Sequence, residues 1–159
     1  MHRSIGFSLL VACGGTAPAP SPEPESEVTE LRWREVTSDA ALSKLAAEAH
    51  ANELALMLDV RADWCVPCRE LESKTFRDPA VVALLGRGFV LARLDVTDPS
   101  PEAEALQMRV GGAAMPWVIF WPMTSSEAKA FADGEVPPPA KTVSTFVSAQ
   151  ELLPLLSAL

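Results

Sequence analysis

Two cysteines three residues apart, Cys65 and Cys68, are the side chains of this sequence best suited to chemistry. They stand in the run Trp64-Cys65-Val66-Pro67-Cys68, after the apolar stretch Leu54-Ala55-Leu56-Met57-Leu58-Asp59-Val60 and before a helical continuation over Arg69 to Lys74. A strand that yields to a helix here places the first cysteine at a helix N-terminus. Unpaired backbone N–H groups and the positive end of the helix dipole favour a thiolate at that position. The thiolate is the attacking species in thiol–disulfide exchange. Cys65 is therefore the expected nucleophile. Cys68, one turn further on, is the expected resolving thiol. Three other uses of the pair stay open: half of a zinc site, a static structural disulfide, and a binding domain that keeps both cysteines without turnover. The zinc reading is short of ligands, since the third cysteine is Cys13 and the histidines are His2 and His50. A static crosslink across so short a loop would restrain the unfolded chain little.

The surrounding pattern supplies a scaffold for such a pair. Leu31, Trp33 and Val36 read as a short edge strand. Ser38 reads as an N-cap before Leu42, Leu45, Ala46 and Ala49, which share one helical face. The continuous apolar run Leu54–Val60 has the pattern of a central strand covered on both faces, and its one charge, Asp59, is conspicuous. Asp78-Pro79 opens a helix that Gly86 and Gly88 close, and Phe89–Val96 reads as a strand. Ser100-Pro101 caps a helix through Met108, and Trp117–Trp121 is a further strand. Met123–Ala140 is a polar, proline-rich insertion with no assigned shape. Thr142–Phe146 is the expected last strand. Ser148-Ala149-Gln150-Glu151 is a capping box for a final helix, which Pro154 should kink. Strands and helices that alternate and then end in a hairpin and a helix imply an α/β sandwich with a mixed sheet.

With 159 residues, 48% of them hydrophobic, the chain has enough apolar surface for one ordinary domain. Its net charge of −8 excludes a nucleic-acid binder, since no basic stripe is present to neutralise phosphates. Met1-His2-Arg3 supplies a basic n-region, and Ile5–Ala12 an apolar run too short to cross a bilayer permanently. Leu10-Val11-Ala12-Cys13 resembles the lipobox of bacterial lipoproteins. The resemblance implies a signal peptide over residues 1–12, lipid on Cys13, and attachment to a membrane without a spanning helix. Residues 13–30, rich in Pro and Glu, are expected to form a tether, and residues 31–159 the folded domain. With Cys13 taken by lipid, Cys65 and Cys68 are the pair left for an oxidising compartment.

The run from Leu58 through Trp64-Cys65-Val66-Pro67-Cys68 to Glu72 strongly resembles the thioredoxin superfamily. Within it, the run is most like the C-terminal periplasmic domain of the DsbD reductases. Thr75-Phe76-Arg77-Asp78-Pro79-Ala80-Val81, Leu94-Asp95-Val96-Thr97 and Phe146 extend the resemblance over roughly Val36–Leu159. It implies a thioredoxin-like three-layer sandwich with a mixed central sheet flanked by helices. It also makes Asp59 the buried acid that moves the proton of the resolving cysteine. Burial of a carboxylate in an apolar strand raises its pKa and makes it a usable base near neutral pH. Glu72 falls on a second acid near the site, Trp64 on the aromatic flanking the cysteines, and Met115-Pro116 on the cis-proline that supports a substrate strand. Three residues depart from the family pattern: Trp117 replaces a usual threonine, Ala114 a frequent glycine, and Thr145 a common glycine before Phe146.

Val66-Pro67 places no cation between the cysteines, so the pair leans reducing, at roughly −210 to −270 mV by comparison with other dithiol proteins. The expected activity is a membrane-anchored, periplasm-facing protein-disulfide reductase of the bacterial cell envelope, a monomer with no metal and no cofactor. Its expected partners are exported proteins with disulfides and a separate membrane electron donor. A peptide- or partner-binding module without turnover is the alternative.

Overall fold

The apolar run in the middle of the chain becomes the centre of a five-stranded sheet. The computed structural model describes residues 30–159. The strands are β1 (Arg34–Glu35), β2 (Ala55–Arg61), β3 (Phe89–Asp95), β4 (Trp117–Trp121) and β5 (Lys141–Val143), in the order β1-β3-β2-β4-β5. β1 and β2 both pair parallel with β3, whereas β4 runs antiparallel to β2 and β5 antiparallel to β4. The sheet is thus mixed, as the alternation of elements implied. The helices are α1 (Asp39–Ala51), α2 (Val66–Ser73), α3 (Pro79–Gly88), α4 (Pro101–Arg109), α5 (Ser125–Ala132) and α6 (Ala149–Leu156).

Alternation along the strands divides the interior into two cores. Leu56, Leu58, Val60, Ala92, Leu94, Ile119 and Trp121 pack with the apolar faces of α1 and α4 and with Phe131 of α5. Met57, Leu91, Val118 and Phe120 pack on the other side with Leu71 of α2, Val81, Val82 and Leu85 of α3, and Leu152 and Leu156 of α6. Covering β2 on both faces explains why its sequence is continuously apolar rather than alternating.

Helix starts follow local chemistry. The Ser38 hydroxyl accepts from Ala41 N–H, Asp78 accepts from the N–H groups of Ala80 and Val81, and Ser100 accepts from Ala103 N–H. Each satisfies donors that an open helix end leaves unpaired. Ser148 and Glu151 form the expected capping box of α6. Pro154 lies inside α6, which continues to Leu156.

Three elements differ from the sequence reading. The Met123–Ala140 insertion contains α5, opened by a Thr124/Glu127 capping box and held to α1 by Ser43 Oγ donating to Phe131 O. Phe131 meets Trp121 edge to face at 5.3 Å, and Trp121 Nε1 donates to Pro137 O at 2.9 Å. Two aromatic residues thus turn a polar, proline-rich stretch into a packed one. The last strand spans Lys141–Val143 rather than Thr142–Phe146. Beyond Val143 the chain turns inward: Phe146 and Val147 pack on the second core, and Val147 O accepts from the buried Thr75 hydroxyl at 2.6 Å. At the other edge only Arg34 and Glu35 join the ladder; Leu31 and Trp33 are spent on packing against the second core. The expected signal peptide, Cys13 and most of the tether lie outside the described residues.

Candidate active site

Cys65 and Cys68 follow the C-terminal end of β2 and open α2. Cys65 is the N-cap of α2, Pro67 sits in its first turn, and Cys68 is its third residue. The two sulfurs form a disulfide, with the Cα atoms 5.3 Å apart. Cys68 N–H donates to Cys65 Sγ at 3.2 Å, so one orphan donor of the helix start points at the first cysteine's sulfur. Both cysteines are buried in the first core, while their neighbours Trp64 and Val66 are 61% and 56% exposed. The disulfide therefore lies beneath an apolar rim open to solvent. Met115 and Trp117 pack against that same core, and the Met115–Pro116 bond is cis.

Asp59 is 3% exposed, within β2, with its side chain on the α2/α3/α6 side of the sheet. Burial raises its pKa to about 6, against the opposing pull of Arg93 and Arg61. Sheet register places its counter-charge. Asp59 pairs with Arg93 on β3, and Arg93 in turn pairs with Glu35 on β1. Arg93 Nη2 lies 3.4 Å from Asp59 Oδ2, and its Nη1 lies 3.2 Å from Glu72 Oε1. Its guanidinium also stacks on Trp33, 4.2 Å from the ring centroid. One buried cation thus joins the strand acid Asp59 to the helix acid Glu72, which is half-exposed on α2.

Two residues along the strands the pattern repeats. Arg61 reaches Asp95 at 2.8 Å, Asp63 at 2.7 Å and Glu72 at 3.8 Å. Burial works against the charge of Asp95, but the hydroxyl and N–H of Thr97, with Arg61 and Arg93, hold its carboxyl below the usual range. Burial also raises Glu35, with Arg93 opposing. Glu72 therefore receives two arginines, whereas Asp59 keeps one long contact. Near-complete burial leaves the charge of Asp59 marginal near neutral pH.

The structure joins Cys65 to Cys68 at the start of α2, and joins Asp59 of β2 to Glu72 of the same helix through Arg93. His50 is elsewhere: it ends α1, ahead of β2, and bonds Met123 O through Nδ1 at 2.9 Å. The seven residues of β2 put it on the order of 20 Å from the cysteines, which removes it as a shared metal ligand. Arg93 and Arg61 escaped the sequence reading. Their signal was a charge of opposite sign at period two in neighbouring apolar strands, and only the register makes them partners.

The family described as thioredoxin-like matches residues 34–122. The chain belongs to the thioredoxin-like family. This thioredoxin-like domain also resembles the C-terminal part of the thiol:disulfide interchange protein DsbD. It is 32% identical to the Vibrio cholerae protein over 127 residues, which is 80% of this chain and 19% of that one. It is 38% identical to the Klebsiella pneumoniae protein over 91 residues, covering 57% of this chain and 15% of that one. The chain thus spans less than a fifth of the length of these relatives. Among solved structures, the oxidised C-terminal domain of Neisseria meningitidis DsbD superposes with a TM-score of 0.61 at 24% identity, covering 79% of this chain and 98% of that one. A thioredoxin from Thermus thermophilus gives 0.62 at 21% identity, covering 81% and 86%. Both superpositions establish the fold, a thioredoxin-like sandwich.

Proposed function

We propose that this chain is a protein-disulfide oxidoreductase that works in the reducing direction. The observation that carries the reading is the Cys65–Cys68 pair at the start of α2, with a backbone N–H already on the Cys65 sulfur and an acid of pKa about 6 on the adjoining strand.

In the reduced protein, the N-terminal end of α2 favours Cys65 as the thiolate. That thiolate attacks one sulfur of a substrate disulfide, forming a mixed disulfide and releasing the other substrate sulfur as a thiolate that takes a proton from water. Cys68 gives its proton to the Asp59 carboxylate and attacks the Cys65 sulfur of the mixed disulfide. The second substrate thiolate leaves, and the Cys65–Cys68 disulfide closes. Two electrons pass from the dithiol to the substrate, and Asp59 returns its proton to solvent. Arg93 and Glu72 hold the charge around Asp59, while Trp64, Met115 and Pro116 receive the substrate chain. A second dithiol, on a separate membrane electron donor, would reduce the pair again.

The envelope setting belongs to the same proposal. Residues 1–12 are a signal peptide, Cys13 carries lipid, residues 13–30 are the tether, and residues 31–159 face the periplasm as a monomer acting on exported proteins. No helix among the described residues is long and apolar enough to cross a membrane. Cys13→Ala should abolish incorporation of a labelled fatty acid into the chain, and unchanged labelling would overturn the lipid assignment.

Insulin reduction by the full chain, compared with Cys65→Ser, tests the chemistry. Activity in the first and none in the second is expected; equal activity would overturn the enzyme reading in favour of a binding module. Equilibration with glutathione should give a potential of roughly −210 to −270 mV, and a value near about −120 mV would reverse the direction to oxidation. Cys68→Ala should retain substrates as mixed disulfides on Cys65, identifiable by mass spectrometry.

A further inference from the structure

The largest departure from the family pattern beside the cysteines is Trp117, and its surroundings give it work to do. Trp117 begins β4, paired with Val60 of β2, on the sheet face that carries the cysteine-containing core. Its indole reaches back under the segment leading to Met115-Pro116. Nε1 donates to Val110 O at 2.8 Å. The ring lies against two glycines: a Cβ on Gly111 would stand 3.6 Å from Trp117 Cζ2, and one on Gly112 would stand 3.6 Å from Cδ1.

A second side chain grips the same segment. Gln107 Nε2 donates to Gly112 O at 2.7 Å, and Gly112 N–H returns a bond to Gln107 O at 2.9 Å. A Cβ on Gly112 would come within 3.2 Å of that Gln107 carbonyl oxygen. Gly111 has φ +77°, a conformation that costs a side-chain-bearing residue energy. The segment is therefore shaped to lie directly on Trp117 and Gln107. Its outer side offers only Gly111, Ala113 and Ala114 before the half-buried Met115.

We propose that Trp117 and Gln107 are positioning residues: they clamp Val110–Gly112, and so preset the path of the chain into Met115-Pro116, where a substrate strand is received. This rests on the dithiol reading above and deepens it. The hydrogen bonds of the clamp run to Val110, Gly112 and Gln107 and involve neither sulfur. It governs how well an extended polypeptide docks, not how readily the disulfide forms or breaks. A preset backbone saves the ordering cost that a loose loop would impose at each docking event.

The test compares a protein disulfide with one that needs no docking strand. Full-chain wild type and Trp117→Phe are assayed with insulin and with 2-hydroxyethyl disulfide, and both are equilibrated with glutathione. Phenylalanine keeps an aromatic ring but removes the donor to Val110 O. A lost hydrogen bond worth about 1 kcal/mol corresponds to a KM for insulin raised about fivefold. Its kcat, the rate with 2-hydroxyethyl disulfide and the glutathione equilibrium constant should stay unchanged. Gly112→Ala, which displaces the segment and leaves the indole intact, should raise the same KM. An unchanged KM in both variants, a parallel loss with both disulfides, or a shifted glutathione equilibrium would overturn the clamp. Wild type that reduces neither disulfide would instead overturn the dithiol reading and the clamp with it.

Discussion

Replacing Asp59 by asparagine isolates the cost of the buried charge. Asparagine keeps the shape of the protonated acid and never ionises. In the folded chain Asp59 titrates at about 6, raised by burial from its ordinary 3.8. A group whose folded pKa lies above its unfolded pKa destabilises the fold when ionised. The penalty is fully present above pH 6, shrinks as pH falls through the folded value, and is gone below the unfolded one. A difference of about two pKa units corresponds to about 3 kcal/mol. The folded value already includes the attraction of Arg93, so that contact needs no separate correction. Asp59→Asn should therefore be more stable than wild type by about 3 kcal/mol at pH 8. The gap should narrow by about 1 kcal/mol per pH unit between 6 and 4, and should close near pH 3.5. Urea denaturation of the oxidised forms at pH 3.5 to 8, read as midpoints at constant m-value, measures it. A less stable variant at pH 8, or a difference that ignores pH, would refute this account of Asp59.

The other expectations concern its neighbours and the scaffold. Arg93→Met removes the main attraction on the Asp59 charge, so the acid limb of the insulin-reduction profile should move to higher pH; a shift to lower pH would contradict the assigned network. The same variant should leave the thermal transition cooperative, which circular dichroism can check. Leu56→Ala, at a fully buried site in the central strand, should cost about 2–5 kcal/mol in urea unfolding, and a loss below about 1 would mean that the core collapses onto the gap. Ser148→Ala removes the hydroxyl from the capping box of α6 and should cost about 1 kcal/mol, with little effect on insulin reduction.

Much of this protein is written locally. The cysteine pair, the strand before it and the helix after it could be placed because apolar continuity, Pro67 and the capping residues act over a few positions. Asp59 stood out for the same reason, as a charge in a run with no other. The second half was less legible. Helix α5 was hidden because proline and polar residues dominate 123–140, although Thr124 and Glu127 carried a capping box. The last strand ended early because the second core attracts Phe146 and Val147, a pull that strand propensity does not contain.

The division follows from the range of the forces. Helix starts, turns and a thiol at a helix N-terminus depend on neighbours in the chain, so residue order alone determines them. Strand register does not, and register is what sets Arg93 against Asp59 and Arg61 against Asp95. A slip of one residue would turn each of these side chains to the opposite face. The same holds for Trp117, whose indole finds Val110 only because α4 delivers that carbonyl over the start of β4. Which residues could exchange electrons was a matter of sequence; which charges and which loop surround them was decided by the packed sheet.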